Sequence, residues 1–132
     1  MNRIFILPFL LMSLLLFTAC QKADDNGELG GFWKLMKVES LAAGSADDYS
    51  EKSYFLSVQL DLMEFRALES NYARFQHRGD SLHVQMLGDD VPNGLLSVFG
   101  FQAAEQSFFV ERLNDKQLVL RTLVSKLTFK KF

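Results

Sequence analysis

The segment Ala73–Met86 reads ARFQHRGDSLHVQM, and its alternation decides the class of fold. Gly79-Asp80 sits at its centre, and a two-residue loop with glycine first suits a type II′ turn, whose twist matches that of paired strands. The register imposed by that turn sets Arg78 opposite Ser81, His77 opposite Leu82, Gln76 opposite His83, Phe75 opposite Val84, Arg74 opposite Gln85 and Ala73 opposite Met86. One face then carries Ala73, Phe75, His77, Leu82, Val84 and Met86. The other carries Arg74, Gln76, Arg78, Ser81, His83 and Gln85. A slip of one residue would scramble this division, so the pattern specifies an antiparallel pair with one dry and one wet face.

Outward from this hairpin the periodicity stays mostly at two and turn residues recur. The candidate strands are Phe32–Leu41, Ser53–Arg66, Asn71–Arg78, Ser81–Leu87, Leu95–Phe101, Ser107–Leu113, Gln117–Leu123 and Ser125–Phe132. Short strands at this spacing predict an all-β domain: a small, mainly antiparallel eight-stranded barrel or, as the alternative, an open β-sandwich. Leu62–Glu69 (LMEFRALE) is rich in helix formers and competes as a short helix. In the hairpin Phe108–Leu113 with Gln117–Thr122, grouping Phe109, Leu113, Leu118 and Leu120 on one face turns Glu111 inward. That requires either a bulge or an interior carboxylate. Leu95–Phe101 (LLSVFGF) is apolar on both faces and reads as a strand buried on both sides, with a lid, the border of a cavity or a partner contact as the alternatives.

The chain begins with a different kind of segment. Asn2 and Arg3 precede the apolar run Ile4–Phe17 (IFILPFLLMSLLLF), and Thr18-Ala19 supplies small residues before a cut, so residues 1–19 read as a signal peptide. The run is shorter than the roughly 20 residues that span a bilayer as a helix, and it contains Pro8. Phe17-Thr18-Ala19-Cys20 resembles the lipobox of bacterial lipoproteins. The resemblance implies that Cys20, the only cysteine, becomes the lipidated first residue of the mature chain. Residues 20–29 (CQKADDNGEL with the following glycine spared) then form a lipidated cysteine and flexible tether, and residues 30–132 the folded domain. Loss of Arg3 leaves 13 basic residues against 16 acidic ones. Such a balance gives no electrostatic footprint for nucleic acid.

Candidate chemistry is sparse. With its one cysteine acylated, the domain has no disulfide, thiolate cluster or cysteine nucleophile. The register sends His77 and His83 to opposite faces, so they cannot share an ion, and no metal or cofactor is expected. Asp24-Asp25, Asp47-Asp48 and Asp89-Asp90 are adjacent acids in tether or loop settings, where carboxylates are normally solvated. No Gly-x-Ser-x-Gly elbow, Walker loop or Gly-x-Gly-x-x-Gly run appears, so nothing points to an enzyme.

Gly31-Phe32-Trp33-Lys34-Leu35 at the start of the first strand resembles the Gly-x-Trp signature of lipocalins and the wider calycin group. The resemblance marks Gly31 and Trp33 as the structural motif. It implies that Trp33 plugs one end of a small barrel beneath a basic residue of the last strand, for which Lys126, Lys130 and Lys131 are available. The layout from this motif to Leu127-Thr128-Phe129-Lys130-Lys131-Phe132 resembles the small lipocalin-like lipoproteins of the Bacteroidetes, a mostly uncharacterised group. Gln21-Lys22-Ala23-Asp24-Asp25 also resembles the signal that sends such lipoproteins to the cell surface. The expected address is therefore the cell envelope, as an outer-membrane lipoprotein, with display on the cell surface implied by the second resemblance. The expected function is capture of a small hydrophobic ligand, with Phe75, Val84, Met86, Phe99 and Phe101 lining its site. The alternative is an interaction or inhibitor module that contacts an envelope or host protein and holds no small ligand.

Overall fold

The computed structural model describes residues 26–88 and 93–132; the signal peptide, Cys20 and the tether up to residue 25 lie outside the described residues, as do 89–92. The described residues form strands β1 (Gly31–Ser40), β2 (Ser45–Asp48), β3 (Phe55–Gln59), β4 (Leu62–Arg66), β5 (Ser70–Arg78), β6 (Ser81–Met86), β7 (Glu105–Leu113), β8 (Gln117–Arg121) and β9 (Ser125–Lys131), with one helix, α1 (Asn93–Val98), between β6 and β7. Successive strands pair antiparallel, and β9 returns to β1, so β1 and β3 to β9 close into an eight-stranded barrel. The extra strand, β2, folds back along the outer half of β1, from Lys37 opposite Asp48 to Ser40 opposite Ser45.

Up-and-down connectivity places alternate turns at opposite ends. The turns at 60–61, 79–80 and 114–116 share one end with the 3-10 turn Gly27–Leu29. The turns at 41–44, 67–69 and 122–124 share the other end with α1. Gly27–Leu29, assigned to the tether from the sequence, is thus part of the domain, and Leu29 is fully buried.

The central hairpin has the register read from its alternation, from Ala73 opposite Met86 to Arg78 opposite Ser81. Gly79 has the positive φ of 58° that a type II′ turn needs at its first position. The segment 53–66 departs from expectation, being two strands joined at Leu60-Asp61. Leu60 takes φ 55°, a conformation that residues other than Gly and Asn rarely adopt. No glycine or asparagine announced the turn. The backbone carbonyl of Leu60 accepts a hydrogen bond of 2.8 Å from the Asn26 amide, which ties the turn to the start of the domain. Leu62–Arg66 accordingly forms β4 and no helix.

Glu111 is resolved by a bulge. The pairing of β7 with β8 shifts between Val110 and Arg112, so Phe108 and Val110 point inward while Glu111 stays outside, 3.2 Å from Lys126. Phe109, grouped with the inward residues from the sequence, instead faces out with the Arg121 guanidinium 5.0 Å from its ring centre.

The larger correction concerns Leu95–Phe101, which is not a strand. Asn93–Val98 forms α1, and Gly100 (φ 82°) ends it in a Schellman motif. Gly100 N–H bonds to the Ser97 carbonyl at 3.2 Å, and Phe101 N–H bonds to the Leu96 carbonyl at 2.7 Å. The apolar character of the run reflects a helix folded over the barrel end, with Leu95 buried beneath it and Leu96 and Val98 half-buried against the core. Phe99 descends from it to meet Phe65 at 4.9 Å, Tyr54 at 6.0 Å and Phe129 at 6.3 Å between ring centres. Phe101 extends the cluster to Phe65 and Phe108. These rings occupy the barrel interior. Phe99→Ala removes the central ring and is expected to cost about 3–5 kcal/mol. Chemical denaturation checks this: a loss under about 1 kcal/mol would show that the rings do not fill a common interior.

Candidate functional site

The two ends of the barrel differ. At the 3-10 turn, Trp33 points inward from β1, is fully buried, and donates from its indole nitrogen to the Leu29 carbonyl at 2.9 Å. Lys131, at the end of β9, lies opposite Trp33 in the ladder and places its Nζ 4.5 Å from the ring centre. The same ammonium donates to the carbonyls of Gly30 and Glu28. One charge therefore caps the indole and closes the β1–β9 seam, a cation–π contact of about 0.5–2 kcal/mol reinforced by hydrogen bonds. Gly31 leaves room for it. Its φ is 123°, and an added Cβ would stand 2.7 Å from Lys131 Nζ.

At the opposite end, α1 covers the mouth and leaves a cleft of about 380 Å³ between Tyr54, the β4–β5 turn and the start of the helix. Ala67, Leu68, Asn71, Gly94 and Leu95 line it, with Glu69 as the one charged side chain among the described residues there. Leu68 stands at the rim wholly exposed. The neighbouring Tyr49 ring meets Tyr54 edge-on at 5.2 Å. Burial, with Tyr54 and Asp47 adding, raises the Tyr49 phenol above its ordinary value, so it remains a neutral hydroxyl near pH 7.

The family described as the lipocalin-like domain matches residues 15–132, nearly the whole chain. The chain belongs to this family. The barrel is similar to the crystal structure of a lipocalin-like protein from Bacteroides uniformis ATCC 8492, at 23% identity and a TM-score of 0.70, over 80% of this chain and 100% of that one. It is also similar to an uncharacterized protein from Bacteroides eggerthii DSM 20697, at 20% identity and a TM-score of 0.62, over 78% and 98% of the two chains. No curated protein matches the sequence. These likenesses support the lipocalin-like fold and the Bacteroidetes resemblance, and a lipocalin-like fold is of a ligand-binding type.

Within this lipocalin-like barrel the residues expected to line a ligand are mostly core. Val84, Met86, Phe99 and Phe101 are buried, and Phe75 is half-buried against them. None of the five lines the mouth cleft. Helix α1 lies over the mouth above them, and the cleft it leaves is lined by other residues. Ala67, Leu68 and Leu95, which do line the cleft, were not singled out, because placing them together requires knowing that 95–101 is a helix over the β4–β5 turn.

His83 has a more specific setting than its sequence suggested. Its Nδ1 lies 2.9 Å from Ser107 Oγ and its Nε2 lies 2.5 Å from Glu105 Oε1. Ser107 is opposite His83 in the β6–β7 ladder, and Glu105 is two residues away on the same face. The order resembles a serine–base–carboxylate relay, but all three groups lie exposed on an outer sheet surface. Activation of a serine in that manner relies on a water-excluded site with donors for an oxyanion. The chain is better read as polar cross-strand pairing. His77, half-buried, bonds at 2.8 Å to the Gly79 carbonyl of its own turn. Among the described residues no group of three or more His, Cys, Asp or Glu side chains is placed to hold a metal ion.

The closed end yields a separable test. Gly31→Ala combines a left-handed φ with a clash against Lys131, and is expected to cost about 1–3 kcal/mol. In a Lys131→Met background the clash with the pinned ammonium is relieved, so the same substitution should cost less. A double-mutant cycle measured by thermal unfolding reads the difference, and strict additivity would show that the lysine does not depend on the glycine.

Proposed function

We propose that this protein is a membrane-anchored lipocalin-like lipoprotein of the cell envelope that captures a small hydrophobic ligand at the mouth of its barrel. The observation that carries the reading is the apolar cleft between α1 and the β4–β5 turn. Its volume, about 380 Å³, lies at the low end of the roughly 300–1,000 Å³ typical of ligand pockets. With the interior filled by Phe65, Phe99, Phe101 and Phe129, a bulky lipid has no chamber to enter. A compact apolar group inserted between Leu95 and Ala67 is the ligand class that fits. The anchor reading rests on Cys20 behind its signal segment. No helix among the described residues is long and apolar enough to cross a membrane.

A second reading, contact with an envelope or host protein, is favoured by the rim. Leu68 and Leu123 are almost wholly exposed, and Leu41 and Val124 partly so, all on turns at the mouth end. Native mass spectrometry of the protein purified from its own membranes separates the two. A reproducible bound small molecule that is lost in Ala67→Trp, whose indole fills the cleft, supports ligand capture. A molecule retained by that variant, or an empty cleft with a stoichiometric protein partner on the leucine rim, would sink it.

The anchor has its own test. Cys20→Ser is expected to leave the barrel folded and to move it into the soluble fraction after a high-salt wash of the membranes. Retention of the variant in washed membranes would refute lipid attachment at Cys20.

A further inference from the structure

Three phenylalanines pack together on the outside of the barrel. Phe32 of β1 stacks on Phe55 of β3 with ring centres 5.1 Å apart, and Phe132 closes the triangle at 5.5 Å from each. Their chain neighbours Trp33 and Leu56 point into the core and Lys131 reaches over Trp33, so the strand alternation leaves these rings facing outward. Phe132 is 76% exposed, and Phe32 and Phe55 are half-buried.

The charges in the row that contains Phe55 are all basic. Along the ladder Lys130 lies opposite Lys34, Lys34 opposite Phe55, and Phe55 opposite Arg66. A row of three cations therefore runs across four strands with the aromatic cluster against it. Like charges directly opposite each other in a sheet are destabilising, and Lys34 turns aside to the Ser50 carbonyl at 2.7 Å. The acid in the adjoining row, Glu64, faces the Tyr72 hydroxyl at 3.5 Å. The chain as a whole carries 16 acidic residues against 14 basic ones, so a basic aromatic face is not what its composition would scatter there by default.

The polypeptide joins the barrel at this face. Asn26 and Gly27 border the same surface cleft as Phe32 and Ser57. Six residue steps separate Asn26 from Cys20, a reach of at most about 20 Å even when fully extended.

We infer that Phe32, Phe55 and Phe132 form a second membrane contact, seated in the interface of an anionic phospholipid bilayer with Lys34, Lys130 and Arg66 against its headgroups. The inference rests on the Cys20 anchor proposed above. Aromatic rings favour the headgroup level of a bilayer, and basic side chains gain from its negative surface potential. The lipid retains the protein, and this face orients it, with the flank formed by β1, β3, β4 and β9 laid on the bilayer.

The experiment uses the full lipidated chain in vesicles of phosphatidylethanolamine and phosphatidylglycerol. Because Cys20 is the only cysteine, acylation leaves no other thiol, and Phe132→Cys or Leu68→Cys takes a single nitroxide label. At position 132 the ratio of oxygen to aqueous nickel-reagent accessibility is expected to be several-fold higher than at position 68. Exchanging phosphatidylglycerol for phosphatidylcholine, or combining Lys34→Gln, Arg66→Gln and Lys130→Gln, should bring the ratio at 132 down towards that at 68. An anchored protein whose label at 132 is as aqueous as that at 68 overturns the docking and leaves the anchor standing. A label shielded from both reagents indicates a protein partner or a second copy on this face, and also overturns it. An intact mass without acyl chains overturns the anchor and the docking with it.

Discussion

Strand β9 reaches β1 only at the end of the chain, so every earlier hairpin is part of an open sheet until those two strands pair. An open sheet of this kind exposes two edges of unpaired backbone groups and the inward faces of Trp33, Leu35, Leu127 and Phe129. Closure removes all of them from water at once. The seam is where the specific devices gather: the register shift between Leu35 and Lys37, the Trp33 indole against the Leu29 carbonyl, and Lys131 reaching across to Gly30. With no disulfide available, the domain relies on this seam and its aromatic core to stay shut.

Closure also determines what the barrel can do. Eight strands enclose a space that side chains can fill or one small ligand can occupy. Here the chain fills it from within. Helix α1 lies over the mouth and directs Phe99 and Phe101 downward, where Phe65, Phe108 and Phe129 meet them edge-on or in parallel. Each well-oriented aromatic pair adds about 0.5–1.5 kcal/mol beyond simple burial. On the proposed reading, recognition is displaced outward as a result, to the gap between α1 and the β4–β5 turn, and to rims and flanks instead of a central chamber.

Much of the architecture was legible because the physics there is local. In Ala73–Met86 the glycine of the turn and the period-two alternation agree, and together they specify the register without help from the rest of the molecule. The misreadings occur where two local signals conflict or a tertiary contact overrides one. Leu60 occupies a left-handed turn position that glycine would have advertised. Gly100 did advertise a helix C-terminus, eight residues after Pro92, but the apolar run before it masked the helix. The excess residue at Glu111 is absorbed by a bulge, which shifts Phe109 to the outside. The partners of His83 were hidden for a different reason. Ser107 comes beside it through the pairing of β6 with β7 across the long helical connection, and no turn of predictable geometry sets that register.

The anchored reading gives the asymmetry of the barrel a consequence. A lipidated Cys20 followed by a tether that joins at Asn26 confines one end of the domain to the neighbourhood of the bilayer. That end is shut by Trp33 and Lys131, so nothing can enter it from the membrane side. The cleft lined by Ala67 and Leu95, and the exposed leucines around it, lie at the other end. A ligand drawn from the lipid phase would have to travel around the barrel to reach that cleft, whereas one arriving from the aqueous side meets it first. The geometry therefore fits capture from the surrounding medium better than extraction from the bilayer, and it does so whether the rim receives a small molecule or a protein.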